Sequence, residues 1–202
     1  MNSSNRISLF PPALPLLLRS LLALFAILPM QASGDGLNKQ QAVVTKITDG
    51  DTIVVKTDHG TERVRLIGID TPESSANQKA QRDSRKLHEP LDQIVSEGED
   101  ATAHVRKLLR VGTPVLIEVD KEPRDRYQRL LAYVYLPNGT MLNKQIIQDG
   151  YARPLRIRPN TRYADQFDKS FEEAQLQKRG IWGNPPRKQS SPSSFFSNFL
   201  RR

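Results

Sequence analysis

Short β-rich runs and turn residues alternate along the first part of the chain. Val43–Ile47 and Ile53–Lys56 flank Thr48-Asp49-Gly50-Asp51-Thr52, which predicts a hairpin with Asp-Gly at its turn. Val64–Ile69 predicts a third strand, with Gly68 marking a bulge that re-aims the chain beyond it. Val115–Val119 and Leu131–Leu136 predict two more, the second stopped by Pro137-Asn138-Gly139. Three segments carry the helical period instead. Ala101, Val105, Leu108 and Leu109 share one face and follow Glu99 and Asp100, acids that suit a helix N-terminus. Leu142 and Ile146 predict a short helix that Gly150 stops, and Ala164, Phe167, Phe171 and Ala174 a third that Gly180 closes.

Five strands with interspersed helices predict an α+β class: a five-stranded barrel of OB type with about three helices packed outside. Periodicity alone equally allows another α+β arrangement. The predicted folded domain covers 42–184, after a short linker at 33–41. Residues 1–32 read as an export signal: Arg6 and Arg19 precede the apolar run Leu21–Met30, and Gln31-Ala32-Ser33 offers a small-residue cleavage site. The run is short for a bilayer span, and the alternative is an uncleaved anchor giving weak membrane association. A secreted or periplasmic location is expected. The segment 185–202 holds five serines, prolines and terminal arginines and reads as a flexible basic tail.

The formal charge is +8 over 202 residues, which favours a polyanionic partner. Six of the 30 Lys and Arg lie in 1–32 and 187–202, where there are no acids, so the middle is nearly balanced and the inference is weaker than the total suggests. With no cysteine, disulfide scaffolds, thiolate zinc sites, iron–sulfur clusters and cysteine nucleophiles are excluded. The three histidines, His59, His88 and His104, match no metalloprotease or nucleophilic-triad spacing. Hydrolytic chemistry, if present, rests on carboxylates, arginines and a hard metal ion.

Asp49, Asp51, Asp70 and Glu73 sit at the ends of β-rich segments. Each alone is an ordinary turn residue. If the strands bearing Asp51 and Asp70 are neighbours, two carboxylates converge beside Thr71 and Glu73, and a cation relieves their repulsion; oxygen donors select calcium or magnesium over zinc. Arg65 lies inside an apolar strand and Arg129 leads into another. A guanidinium there needs a planar partner, either a phosphate or one of the nearby acids. Acids, a hard cation and two arginines together suit phosphoryl transfer.

Three motifs in order, Asp49-Gly50-Asp51-Thr52, Val64-Arg65-Leu66-Ile67-Gly68-Ile69-Asp70-Thr71-Pro72-Glu73 and Asp125-Arg126-Tyr127-Gln128-Arg129-Leu130-Leu131-Ala132-Tyr133, resemble the staphylococcal nuclease (thermonuclease) family. Asn143, Gly150 and Gly180-Ile181-Trp182 add to the likeness, which runs from Ala42 to Trp182. The resemblance implies an OB-fold, Ca2+-dependent endo/exonuclease that cleaves DNA and RNA at the 5′-oxygen and leaves 3′-phosphate ends. It implies that Asp51, Asp70 and the Thr71 carbonyl ligate the metal, with Asp49 beside them. Glu73 would be the general base or water-positioning group, Arg65 and Arg129 would neutralise the transition state, and Arg126 and Tyr127 would hold a terminal phosphate. A monomer without obligate protein partners is expected.

The sequence departs from that pattern in three places. Gln128 replaces the usual glycine in the turn that aims Arg129. The stretch from Ser74 to Gly98 is long and highly charged, which reads as a substrate-contacting lid or a disordered insertion. Arg153, Arg156 and Arg158 stand where relatives use aromatic rings, which favours backbone contact over stacking. Two rival readings accompany the nuclease: a non-catalytic OB-fold nucleic-acid-binding module, and an envelope-associated interaction protein with a vestigial site.

Overall fold

The computed structural model describes residues 39–183. The proposed export signal, most of the linker and the C-terminal tail lie outside the described residues. Five strands close a barrel in the order β1 (Lys39–Ile47), β2 (Thr52–Thr57), β3 (Gly60–Leu66), β6 (Leu130–Tyr135), β5 (Pro114–Arg124) and back to β1. All neighbours are antiparallel except β3 and β6, which pair in parallel with Arg65 opposite Leu131. A two-stranded ribbon, β4 (Ile69–Asp70) with β7 (Arg153–Pro154), pairs Asp70 with Arg153. This is the five-stranded OB-type architecture that the apolar pattern predicts.

Closure depends on the length of β1. Its first half, Lys39–Val43, pairs with β5, and its second half, from Val43 to Ile47, pairs with β2 across an irregularity between Val44 and Lys46. One strand thus supplies both edges and leaves neither open. The strand takes in residues 39–41, assigned from sequence to the linker. Val44, Ile53, Val55, Val64, Leu66, Ile117 and Ala132 are buried in the core, as period-2 strands with one inner face require.

Four α-helices occur among the described residues, where the sequence predicts about three: α1 (Gln78–Leu87), α2 (Leu91–Leu108), α3 (Leu142–Gln148) and α4 (Ala164–Leu176). The additional helix, α1, and the early start of α2 both fall in the segment read as a lid or disordered insertion. α1 buries only Ala80, so it carries no apolar stripe to betray it. Asn77 starts it, its side chain accepting from the Ala80 N–H at 2.9 Å. The strand predicted over Val64–Ile69 is broken, because the chain turns between β3 and β4. Gly68 makes that turn at φ +78°, and a Cβ there would lie 2.5 Å from the Phe167 ring of α4. Positive φ and absent side chain are both required.

α3 is fixed by one buried amide. Asn143 is fully buried; its Nδ2 donates to the Ile67 carbonyl at 2.9 Å and its Oδ1 accepts from the Val134 N–H at 2.9 Å. The helix is thereby pinned to β6 and to the turn that leads to Asp70. No helix among the described residues is long and apolar enough to cross a membrane.

Candidate active site

The β1–β2 turn and the β3–β4 turn meet at one corner of the barrel. Thr52, first in β2, is the register partner of Arg65 in β3, so Asp51 and Arg65 are brought together by sheet pairing. The Arg65 guanidinium forks between two carboxylates: Nη1 lies 2.7 Å from Asp51 Oδ2 and Nη2 3.2 Å from Asp70 Oδ1. Of the two partners open to Arg65 at the level of sequence, phosphate or a nearby acid, the acids hold it here. Asp51 Oδ2 also accepts from the Thr71 N–H at 3.2 Å and the Thr71 hydroxyl at 3.3 Å, and Oδ1 from the Thr52 hydroxyl at 3.1 Å. Asp51, Arg65, Asp70 and Thr71 form one hydrogen-bonded unit.

Glu73 lies further along the same turn. Its Oε2 accepts from Asn77 Nδ2 at 2.6 Å, and its Oε1 lies 3.1 Å from the Lys79 ammonium. Both partners come from the N-terminus of α1. The backbone behind Glu73 is set by α2: a Cβ on Gly98 would stand 2.3 Å from the Glu73 carbonyl carbon. The helices of the charged insertion therefore position this carboxylate from two sides.

Burial raises the Asp70 carboxyl above its ordinary range, and the Lys79 and Arg65 charges offset only part of that. Asp49, whose Oδ1 accepts from the Asp51 N–H at 3.1 Å, is pushed up to about 6, first by burial and then by the neighbouring Asp51 charge. The corner holds more carboxylates than its cations satisfy.

Arg129 is anchored separately. Asp125 Oδ1 accepts from the backbone N–H of Tyr127 and of Arg129, both at 2.9 Å, while Oδ2 accepts from Arg129 Nε at 2.7 Å. Burial would raise the Asp125 carboxyl, but these bonds to Arg129 outweigh it and hold the group below its ordinary value. Gln128 occupies the expected left-handed position at φ +61°, so the turn keeps its shape with a side chain in place of glycine. Arg129 immediately precedes β6, whose Leu131 is the register partner of Arg65. Its contacts are with Asp125 and the Tyr127 ring, not with the Asp51–Asp70 unit. Tyr127 is 63% exposed, with Arg126 over its ring at 4.7 Å and bonded to its hydroxyl at 2.6 Å.

The three arginines standing in place of aromatic rings separate. Arg153 stacks on Trp182 at 4.4 Å and lines a shallow open cleft with Asp70, Thr71, Lys86 and Glu97. Arg156 is exposed and tied to Asp165 and Asp168, and Arg158 is exposed. Two residues that sequence reasoning missed, Asn77 and Lys79, contact the acids directly. Their only sequence trace is an Asn three residues before Ala80 and the i,i+4 spacing of Lys79 and Asp83. Asp125 carries no predicted role either, although it has the same spacing to Arg129.

No three His, Cys, Asp or Glu side chains group as a metal-binding set among the described residues. The donors at this corner are two carboxylates and a backbone carbonyl, all hard oxygens. Two of them already share a positive charge, since Asp70 Oδ1 and the Thr71 carbonyl both face the Lys79 ammonium. That donor chemistry fits a hard divalent cation.

The sequence profile of the staphylococcal nuclease homologue family matches residues 63–184. Among curated proteins, the thermonuclease of Staphylococcus hyicus is 34% identical over 157 residues, covering 77% of this chain and 84% of that protein. The thermonuclease of Staphylococcus intermedius is 33% identical over 154 residues, covering 76% and 83%. The SPbeta prophage-derived endonuclease YokF of Bacillus subtilis is 36% identical over 139 residues, which is 68% of this chain and 42% of that protein.

Proposed function

The chain belongs to the staphylococcal nuclease family, and from that premise we propose a calcium-dependent nuclease that hydrolyses DNA and RNA at the 5′-oxygen and leaves 3′-phosphate ends. The observation that carries this reading is the Arg65 fork between Asp51 and Asp70, one turn from Glu73. It gathers a guanidinium, two metal-type carboxylates and a candidate base in one corner.

A phosphodiester is anionic and repels an attacking oxygen, so its charge must be cancelled first. Asp51, Asp70 and the Thr71 carbonyl are the oxygens that would hold the cation. Calcium bound there would supply positive charge to the phosphate and lower its resistance to attack. Arg65, oriented by its two carboxylates, would turn its remaining N–H groups to the phosphoryl oxygens. Arg129, oriented by Asp125, would add a second guanidinium as negative charge develops. Glu73, fixed at Oε2 by Asn77, would orient the attacking water and accept its proton, while the bond from phosphorus to the 5′-oxygen breaks and that oxygen leaves as a hydroxyl, taking a proton from solvent. Arg126 and Tyr127, exposed and stacked, would hold a terminal phosphate of the strand. Export is proposed from the 1–32 pattern alone, and an intact N-terminus on exported protein would reject cleavage near Ala32.

The test is digestion of single- and double-stranded DNA and of RNA, with calcium or with a chelator. Calcium-dependent fragments with 3′-phosphate ends are expected. Arg65→Ala should lose about 10³–10⁵ in rate, the range for an arginine that stabilises such a transition state. Cleavage at the wild-type rate by Arg65→Ala and by Glu73→Gln overturns the reading. Gel retardation without cleavage favours the non-catalytic binding module.

A further inference from the structure

Lys79 is bound by more oxygens than a surface lysine needs. Its Nζ lies 3.1 Å from Glu73 Oε1, 3.3 Å from the Thr71 carbonyl, 3.4 Å from Asp70 Oδ1 and 3.2 Å from Asp83 Oδ2. An ammonium has three N–H donors, so four acceptors leave it fully engaged. Long basic side chains ordinarily extend their heads into water; this one is 30% exposed and turns inward. Two of its oxygens, on Asp70 and Thr71, belong to the donor set assigned above to a divalent cation. A third belongs to the proposed base.

We infer that Lys79 is a built-in counter-cation of Asp70 and Glu73, and that a divalent cation binds only as the Lys79 ammonium is displaced from Asp70 and the Thr71 carbonyl. The inference rests on the metal-dependent reading proposed above. A calcium ion approaches its oxygens to about 2.3–2.6 Å. Sharing Asp70 Oδ1 and the Thr71 carbonyl with an ammonium would set two positive centres against each other across the same oxygens, in a partly buried corner where such repulsion is poorly screened. The lysine has somewhere to go: Asp83 lies one turn along its own helix and can keep the ammonium after the other contacts are lost. Lys79 thus acts as a latch whose closed form carries its own positive charge.

The experiment is calorimetric titration of calcium chloride, without nucleic acid, into the wild-type protein, Lys79→Met and Lys79→Arg. Lys79→Met should bind calcium about tenfold or more tightly than wild type, whereas Lys79→Arg keeps the competing charge and should not gain. Thermal melts with chelator and with calcium accompany each titration; calcium should raise the Lys79→Met midpoint more than that of wild type. In wild-type protein, which needs no substitution to be compared, acylation of Lys79 by an amine-reactive reagent, read by mass spectrometry, should speed up when calcium binds. Wild-type calcium binding with no gain in Lys79→Met, or with Lys79 acylation unchanged, overturns the latch and leaves the metal reading standing. Absence of calcium binding in all three proteins overturns both.

Discussion

Gly98 offers a test in which two physical effects have opposite signs. It lies in the interior of α2, where glycine costs about 1 kcal/mol relative to alanine through backbone entropy. If that were all, Gly98→Ala would stabilise the protein. The structure argues otherwise, because the new methyl would sit 2.3 Å from the Glu73 carbonyl carbon and 2.5 Å from the Ser74 nitrogen. Carbon atoms in favourable contact stand about 3.5–4.0 Å apart, so α2 or the Glu73 peptide must yield by roughly 1 Å. Neither is the loose end of a side chain. Overpacking of this kind costs about 1–3 kcal/mol, and the upper end applies to contact with backbone, leaving a net loss of about 1–2 kcal/mol after the propensity gain. In the role proposed for it, a Glu73 displaced by about 1 Å should cost on the order of 10²-fold in rate. Urea denaturation at constant slope measures the first quantity and kcat/KM on DNA the second. Ala103→Gly, at an exposed position of the same helix, is the control: it should lose about 1 kcal/mol by propensity alone and keep full activity. A Gly98→Ala protein that is more stable than wild type and fully active would refute the claim that α2 sets the position of Glu73.

Three further outcomes are expected from the same geometry. Gln128→Gly should stabilise by about 0.5–1 kcal/mol in denaturant titration, since it relieves a left-handed residue at some cost in unfolded-chain entropy. Asn143→Ala should destabilise by about 2–4 kcal/mol, because it strands the Val134 N–H and the Ile67 carbonyl without partners. Burial raises the Glu97 carboxyl above its ordinary value, so the folded state binds more protons there than the unfolded chain does; stability falls as pH rises from about 4.5 through the raised value. Glu97→Gln should therefore stabilise at neutral pH and confer no gain below about 4.5, as melts across that range would show.

The barrel was legible because its strands alternate in hydrophobicity and their turns carry Asp-Gly and Asn-Gly. Asp51, Asp70 and Glu73 stood out because acids bounded those same strands. α1 was not legible: Gln78–Leu87 is nearly all polar, and its single buried residue gives no period to read. The first half of α2 was hidden for a related reason, since Gln93, Glu97 and Gly98 occupy its buried face where apolar residues would be sought. β5 runs on to Arg124 past the predicted end at Val119 through charged residues that no alternation marks. The contacts of Lys79 with Asp70, Thr71 and Glu73 arise across a turn, and neither period brings such residues together in the sequence.

A helix that buries a single alanine is only weakly held where it lies against the acids. Segments with so little buried surface open at a small fraction of the global unfolding free energy. Warming should then undo the hold of Asn77 on Glu73 while the barrel stays intact. Activity would fade below the melting temperature and return on cooling at the speed of a single helix re-forming, so that a loss of catalysis in this protein need not report a loss of fold.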